Sequence, residues 1–406
     1  MILTVERIGH LGDGVTIGPD GPIYIAQTLP GEVVEGDLSG DALTNLRILT
    51  PSANRVKPPC AHARTCGGCL MQHAAGPFVA DWKLGIVKGA LDGQGISTLF
   101  WPIQTSPPRS RRRATLAARR TKGGVLLGFH ARASDTLIPV PNCQLLHPDL
   151  IATFPALEAL VKIGGTRSAE RSLTVTRSLA GPDVVVTGAK PVDAATPLDL
   201  ARLAETHGLA RLTWNGEMVS LRAHPMQRFG RASVTPPPGA FLQATAEGEQ
   251  ALLQAVALAV GPARKITDLF AGIGTFALPL AARAEVHAVE GETAMMMALD
   301  KAARAAQGLH RVTVETRDLF RRPLEPDEFK AVDAVVIDPP RAGAEAQTRA
   351  LVAAKIPVIA AVSCNPVTFA RDARILVNGG YRLEWVQVVD QFRWSGHVEL
   401  VGRFTL

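Results

Sequence analysis

The chain has 406 residues, 47% of them apolar, and a formal net charge of +6; it can bury a large core and divide into two or three domains. Its start, MILTVERIGHLGDG, has neither the basic patch nor the apolar run of a secretory leader, and no apolar stretch approaches the roughly 18 residues of a membrane helix. A cytoplasmic protein with no membrane partner is expected, so disulfides are not the expected explanation of its five cysteines.

Residues 1–50 alternate apolar and polar side chains with glycine turns, in ILTVERI, GVTIGPDGPIYIAQ and GEVVEGDL. That pattern predicts a small all-β barrel over 1–54. The segment is acidic, with Arg7 and Arg47 against seven carboxylates. Asn54 to Pro59 reads as a linker. Residues 75–100 are predicted helical, with Trp82, Ile86 and Ala90 at helical spacing, and are expected to pack on the catalytic domain.

Residues 101–135 invert the charge, with eight basic side chains against Asp135 alone. Such asymmetry points to a polyanion-facing surface, with Arg111, Arg112 and Arg113 as candidate RNA-binding residues. Arg111 to Phe129 is a predicted hairpin turning at Lys122-Gly123-Gly124. Short strands (LTVTR, DVVVTG) and the helix of DLARLAETHG fill the region to 235, and Pro236-Pro237-Pro238-Gly239 marks a boundary. Beyond it KITDLF, EVHAVE, RVTVETRD, AVDAVVID and IPVIAAVSC alternate with helical segments, the pattern of a doubly wound parallel sheet. The expected class is α/β, with regions 1–54, 55–235 and 236–406. Met295-Met296-Met297 is read as core filler.

Cys60, Cys66 and Cys69 lie in CAHARTCGGC, and Cys143 follows in VPNCQLLHP. Four thiolates so spaced can converge on one metal centre, and both tetrahedral zinc and a [4Fe–4S] cluster fit four Cys ligands. His62, His73 and His147 are read as surface or supporting residues, outside the ligand set.

KITDLF-AGIG-TFALPL has the layout of a nucleotide site: a strand, a glycine turn and a helix start. Gly272 and Gly274 are expected to let the backbone approach the ligand, and Glu290 to grip a ribose diol. The third glycine of the dinucleotide fingerprint is missing, which favours S-adenosylmethionine over a pyrophosphate-bearing cofactor. Asp338-Pro339-Pro340-Arg341 resembles the acidic Pro-Pro loop of nucleic-acid methyltransferases. Arg341 stands where amino-group methylases carry a stacking aromatic, which disfavours an exocyclic amine target. Cys364 ends the strand of IPVIAAVSC at the carboxyl edge of the predicted sheet, where α/β sheets bind ligands. A thiolate there suits a pyrimidine: adding it to C6 of uracil makes C5 nucleophilic. A base must then remove the C5 proton, and Glu399 in DQFRWSGHVELVGRF is the candidate.

Together these residues resemble the uracil-5 RNA methyltransferase family, specifically its iron–sulfur branch acting on 23S ribosomal RNA. The likeness spans nearly the whole chain. It implies a Rossmann-like class I methyltransferase domain, a central mixed α+β iron–sulfur domain and an N-terminal barrel of the TRAM type, notably at Leu29-Pro30-Gly31-Glu32. It implies that Cys60, Cys66, Cys69 and Cys143 ligate a [4Fe–4S] cluster. Gln243 of Phe241-Leu242-Gln243 would touch cofactor or base; Phe270, Glu290, Asp318 and Asp338 match cofactor-contact positions. Ser363-Cys364-Asn365-Pro366 matches the nucleophile motif, and His397-Val398-Glu399 the motif of the base. Thr275 stands where relatives often carry Asn, and Trp394-Ser395-Gly396 replaces their usual approach to His-Val-Glu. The expected function is 5-methyluridine formation in RNA by a monomer. A transfer-RNA enzyme of the family and a non-catalytic RNA-binding protein on the same scaffold are the competing readings. A nicotinamide-dependent redox protein leaves the thiol and the Pro-Pro loop unexplained.

Overall fold

Valine- and alanine-rich runs in the last third of the chain bury both faces, as the strands of a parallel sheet must. A computed structural model describes residues 1–167, 169–191 and 196–406. Its largest sheet has eight strands, in the order Val312–Thr316, Glu285–Glu290, Lys265–Leu269, Ala334–Ile337, Val358–Ser363, Glu399–Thr405, Arg382–Asp390, Leu99–Thr105. The first five run parallel; Glu399–Thr405 is antiparallel to both of its neighbours. Helices Ala246–Val260 and Thr293–Ala305 bury one face, through Leu252, Val256, Met296 and Leu299. Helices Gly76–Asp92 and Pro366–Asn378 bury the other, through Val87, Leu91, Phe369 and Leu376.

The sequence grouped residues 55–235 together, but the structure builds part of that span into the catalytic sheet. Leu99–Thr105 is its edge strand, parallel to Arg382–Asp390. Trp101 stacks on Trp385 with ring centroids 4.0 Å apart, so aromatic packing holds this segment where sequence adjacency placed it elsewhere. The preceding helix, Gly76–Asp92, packs on the same layer.

A seven-stranded sheet runs Leu137–Pro139, Gly124–His130, Arg113–Thr121, Arg171–Ser178, Gly181–Thr187, Arg211–Trp214, Glu217–Leu221. The predicted hairpin is its Arg113–Thr121 and Gly124–His130 pair, which closes at Thr121 and Gly124. Helix Phe154–Gly164 covers it through Leu157, Leu160 and Val161.

Residues 2–50 form a six-stranded sheet around Val5, Ile23, Ile25, Val34 and Leu43. Ile2–Thr4 pairs with Val33–Ser39, and Arg7–Ile8 pairs with Gly14–Gly18, so one bent segment joins both edges. Glu32 is fully buried there, and its carboxylate accepts two hydrogen bonds from Arg55 at 2.5 and 2.7 Å and one from Leu29 N at 2.9 Å. One acid of this acidic segment is therefore structural. Among the described residues, no helix is long and apolar enough to cross a membrane.

Candidate active site

The strand order reverses between Lys265–Leu269 and Ala334–Ile337, the switch point where open α/β sheets bind ligands. A cavity of about 1510 Å³ opens there, larger than the roughly 300–1,000 Å³ that suits one small ligand. Gln243, Phe270, Gly272, Glu290, Asp318, Asp338, Cys364 and Glu399 all line it. The cavity continues between Ile8, His10 and Leu11 of the N-terminal region and Trp82, Ile86 and Ala90, the helically spaced side chains of the Gly76–Asp92 helix.

The strand Lys265–Leu269 leads into Phe270 at φ +61° and Gly272 at φ +56°. A left-handed Phe is strained, and such strain persists where the surroundings fix it. At Gly272 an added Cβ would meet nothing within 4 Å, so the backbone lies open to the cavity. Gly274 differs from expectation. It does not line the cavity, and a Cβ there would fall 2.9 Å from Leu278, so this glycine serves helix packing. Thr275, in the turn that follows, does not line the cavity either.

Glu290 ends the next strand. Its carboxylate accepts from the backbone N–H of Gly272 at 3.1 Å, Gly291 at 2.7 Å and Glu292 at 3.1 Å, which fixes its direction. Asp318 accepts from Phe320 N at 3.0 Å and Arg321 N at 3.3 Å. The Phe320 ring lies 5.4 Å from that of Phe270, a second aromatic beside the loop.

Cys364 follows the Val358–Ser363 strand, and Asn365 caps the next helix by accepting from Val367 N at 3.1 Å. Glu399 begins the final strand and is 4% exposed. Burial, with Asp338 adding to it, pushes the Glu399 carboxyl well above its usual range; a hydrogen bond from Gln391 opposes this. Asp338 opens onto the cavity but is otherwise enclosed by protein, and this burial raises it to about 7. Cys364 is pushed up to about 11, by burial first and then by Glu399 and Asp338, with Arg341 opposing. Asp268, wholly buried behind the loop, is also raised, by burial and then by Asp338. A crowded set of acids thus faces a space with few fixed cations, an electrostatic field that favours a positively charged occupant.

Gln391 escaped the sequence reading. Its Nε2 donates to Gln243 Oε1 at 2.5 Å and its Oε1 accepts from Ala244 N at 2.8 Å. Because it also hydrogen-bonds Glu399, it links the predicted Gln243 to the predicted base.

The arginine triplet separates. Arg112 is buried: its Nε donates to Gln243 O at 3.0 Å and its guanidinium pairs with Glu249. It staples the Phe-x-Gln segment to the Ala246–Val260 helix and is not free for phosphate, which corrects the expectation for this residue. Arg113 donates to Gly239 O at 3.1 Å. Arg111 lines the cavity, 5.8 Å from the Phe392 ring centroid. The exposed charges of the hairpin are Arg120 and Lys122 at its turn.

Cys60, Cys66, Cys69 and Cys143 are free thiols that influence one another electrostatically. Gly67 N donates to His130 O at 2.9 Å, holding their loop on the hairpin strand. Backbone N–H groups of Gly68 and Leu145 donate to the sulfurs of Cys66 and Cys143, both at 3.4 Å. Burial above all raises Cys69, to about 12. Among the described residues no group of three or more His, Cys, Asp or Glu side chains stands in a metal-holding arrangement. Four thiols are the donor types of a soft-metal site, but their side-chain geometry here is that of four separate thiols.

Residues 236–404 match the tRNA (uracil-5-)-methyltransferase family model. An uncharacterized RNA methyltransferase of Brucella suis is 43% identical over 99% of this chain and 97% of its own length. The 23S rRNA (uracil(1939)-C(5))-methyltransferase RlmD of Halomonas elongata is 33% identical over 98% of this chain and 88% of that protein. Among solved structures, the Pyrococcus abyssi tRNA (uracil-54, C5)-methyltransferase in complex with S-adenosyl-L-homocysteine superposes with a TM-score of 0.78. It covers 100% of both chains at 20% identity, a likeness of fold. The chain belongs to the uracil-5 RNA methyltransferase family, whose enzymes depend on S-adenosylmethionine.

Proposed function

We propose that this enzyme methylates C5 of a uridine in 23S ribosomal RNA through a covalent bond between Cys364 and C6 of the base. The observation that carries this reading is the meeting of Cys364 and Glu399 in one cavity with Gly272, Glu290 and Asp318. Bound S-adenosylmethionine supplies an electrophilic methyl group. Glu290 suits the ribose diol, and Asp318 with the Phe270 and Phe320 rings suits the adenine.

Cys364 Sγ, as thiolate, bonds C6, and the C5–C6 π electrons move onto C5 and O4. This makes C5 nucleophilic enough to take the methyl group, whose bond to the sulfonium sulfur would break with its electron pair left on sulfur as neutral S-adenosylhomocysteine. C5 then carries both a methyl and a proton. Glu399 takes that proton, the C5–C6 double bond re-forms, and the C6–S bond breaks to return the thiolate. Gln391 orients the carboxylate for this step. The target base has to leave its stack to reach such an enclosed thiol, so a loop or bulge uridine is the expected substrate.

The 23S target is supported by full-length similarity to an enzyme named for that RNA. We read the N-terminal sheet as a TRAM-type barrel, supported by its joined edges and by Leu29-Pro30-Gly31-Glu32. We read the four clustered cysteines as [4Fe–4S] ligands, supported by their mutual proximity and by the two N–H···S contacts. The protein would work in the cytoplasm as a monomer. Mapping 5-methyluridine in ribosomal and transfer RNA of a deletion strain tests the target. Loss from 23S rRNA alone supports the reading, and loss from transfer RNA alone replaces it with the transfer-RNA alternative.

A further inference from the structure

Lys83, midway along the Gly76–Asp92 helix, is 0% exposed, an unusual state for a lysine. All three of its ammonium donors are engaged. They reach Asp390 Oδ1 at 2.5 Å, Phe392 O at 3.1 Å and His397 O at 3.0 Å. These acceptors share one function in the fold. Asp390 ends the Arg382–Asp390 strand, and His397 lies two residues before Glu399, which starts the next. The connection between the two strands is thus gathered at both ends onto a single charge from a helix more than 300 residues away in sequence. Its middle is held separately, Trp394 O accepting from Leu70 N at 2.7 Å and Met71 N at 3.0 Å. Phe392 and His397 meet edge to face inside it.

A helix and sheet that needed only to pack would use a methionine or leucine at this place. A buried ion pair contributes little net stability over apolar side chains of similar volume. What apolar side chains cannot do is fix two backbone carbonyls of a turn. We propose that Lys83 is a positioning residue for Glu399, setting the connection from which the base enters the cavity while leaving Cys364 untouched. The inference rests on the reading of Glu399 as the C5 base. Cys364 hangs from a different strand and helix, and the hydrogen bonds of Lys83 go to Asp390, Phe392 and His397. Loss of Lys83 therefore separates the two halves of the reaction: addition to C6 proceeds and proton removal lags.

The test is the double variant Lys83→Met/Asp390→Asn, which leaves no uncompensated buried charge and keeps an acceptor for Phe392 N. Cofactor binding by calorimetry establishes that it is folded. On 5-fluorouridine RNA, the rate of covalent trapping should stay within about two-fold of wild type, with KM for RNA similarly unchanged. On uridine RNA, turnover should fall about 100-fold, the cost of displacing a catalytic group by on the order of 1 Å. A denaturation-resistant protein–RNA complex, absent from wild type, should accumulate. If the variant binds cofactor poorly, Lys83→Arg carries the same readouts. It keeps a charge for Asp390 but cannot place its planar fork on all three acceptors. Turnover within two-fold of wild type with no accumulated complex would overturn the proposal, as would trapping and turnover lost in parallel. Failure of the wild type itself to trap would instead overturn the covalent mechanism.

Discussion

Cys364 and Glu399 stand one residue beyond the paired Ser363 and Leu400, so two antiparallel neighbours deliver a thiol and a carboxyl to one corner of the sheet. The lone reversed strand makes this arrangement. In an all-parallel sheet, the residue beside Cys364 would come from a strand's end, whereas here Glu399 comes from a strand's beginning and is stiffened by the ladder that follows it. The first prediction follows from this division. Glu399→Gln should bind RNA and cofactor and form the Cys364 adduct, yet turn over at least about 100-fold more slowly. Gel analysis under denaturing conditions should show the trapped complex. A variant that turns over normally would remove Glu399 from the mechanism.

Two carboxyls beside Cys364 are raised from their usual range, Asp338 by burial and Glu399 by burial and then by Asp338, and both in turn raise the thiol. A cation entering the cavity lowers all of their pKa values, so protons must leave. S-adenosylmethionine, a sulfonium, should therefore release more protons near pH 7 than neutral S-adenosylhomocysteine does. Calorimetric titration in buffers of different ionisation enthalpy measures this. Equal proton release by the two ligands would show that the acids do not sense the sulfonium.

The same cluster carries a stability signature. Asp338 is raised to about 7 when folded, so the folded state binds more protons than the unfolded state between pH 4 and that value. Stability is then lost as pH rises through this window. Asp338→Asn should remove that loss. The variant should gain at least about 1 kcal/mol over wild type at pH 8, after allowance for water in the cavity, and little at pH 4. Thermal melts across pH read the difference; an equal effect at both pH values would contradict it. Activity should be lost.

Arg112 and the hairpin turn should respond differently to mutation. Arg112→Ala leaves Glu249 buried without its partner, and should destabilise the protein by about 3–5 kcal/mol. Arg120→Ala with Lys122→Ala should leave stability nearly unchanged. It should weaken RNA binding and flatten the log K against log salt slope by about 2, one per lost phosphate contact. An unchanged slope would return the turn to ordinary solvated surface.

The cysteine reading is tested by elemental analysis of protein purified without oxygen. Iron and acid-labile sulfide in equal amounts are expected, with both lost in Cys143→Ser. Zinc without iron would contradict the assignment.

Legibility followed chemistry that is local in sequence. Cys364, Asp338, Gly272 and Glu290 sit at strand ends beside their motifs, and the cavity gathers all four. The base was legible only through its motif, since a strand's first Glu is otherwise unremarkable. Gly274 looked like a cofactor contact because glycine spacing does not distinguish ligand approach from the packing against Leu278 that it serves. Arg112 looked like a phosphate arm because charge density carries no information about which guanidinium turns inward. Gln391 and Lys83 were silent. Each acts through partners distant in sequence, such as Gln243 and Asp390, and no pattern within a helix or strand announces such a contact.

The central claim is the covalent bond from Cys364 to C6, and the most direct measurement is peptide mapping of the complex formed on 5-fluorouridine RNA with S-adenosylmethionine. Fluorine cannot leave C5 as a proton, so the methylated adduct should persist. Mass spectrometry of the digested complex should find the methylated fluoronucleotide on the peptide carrying Cys364, and Cys364→Ala should yield no complex. A nucleotide attached to another residue, or uridine methylation by Cys364→Ala at a rate close to wild type, would contradict the account.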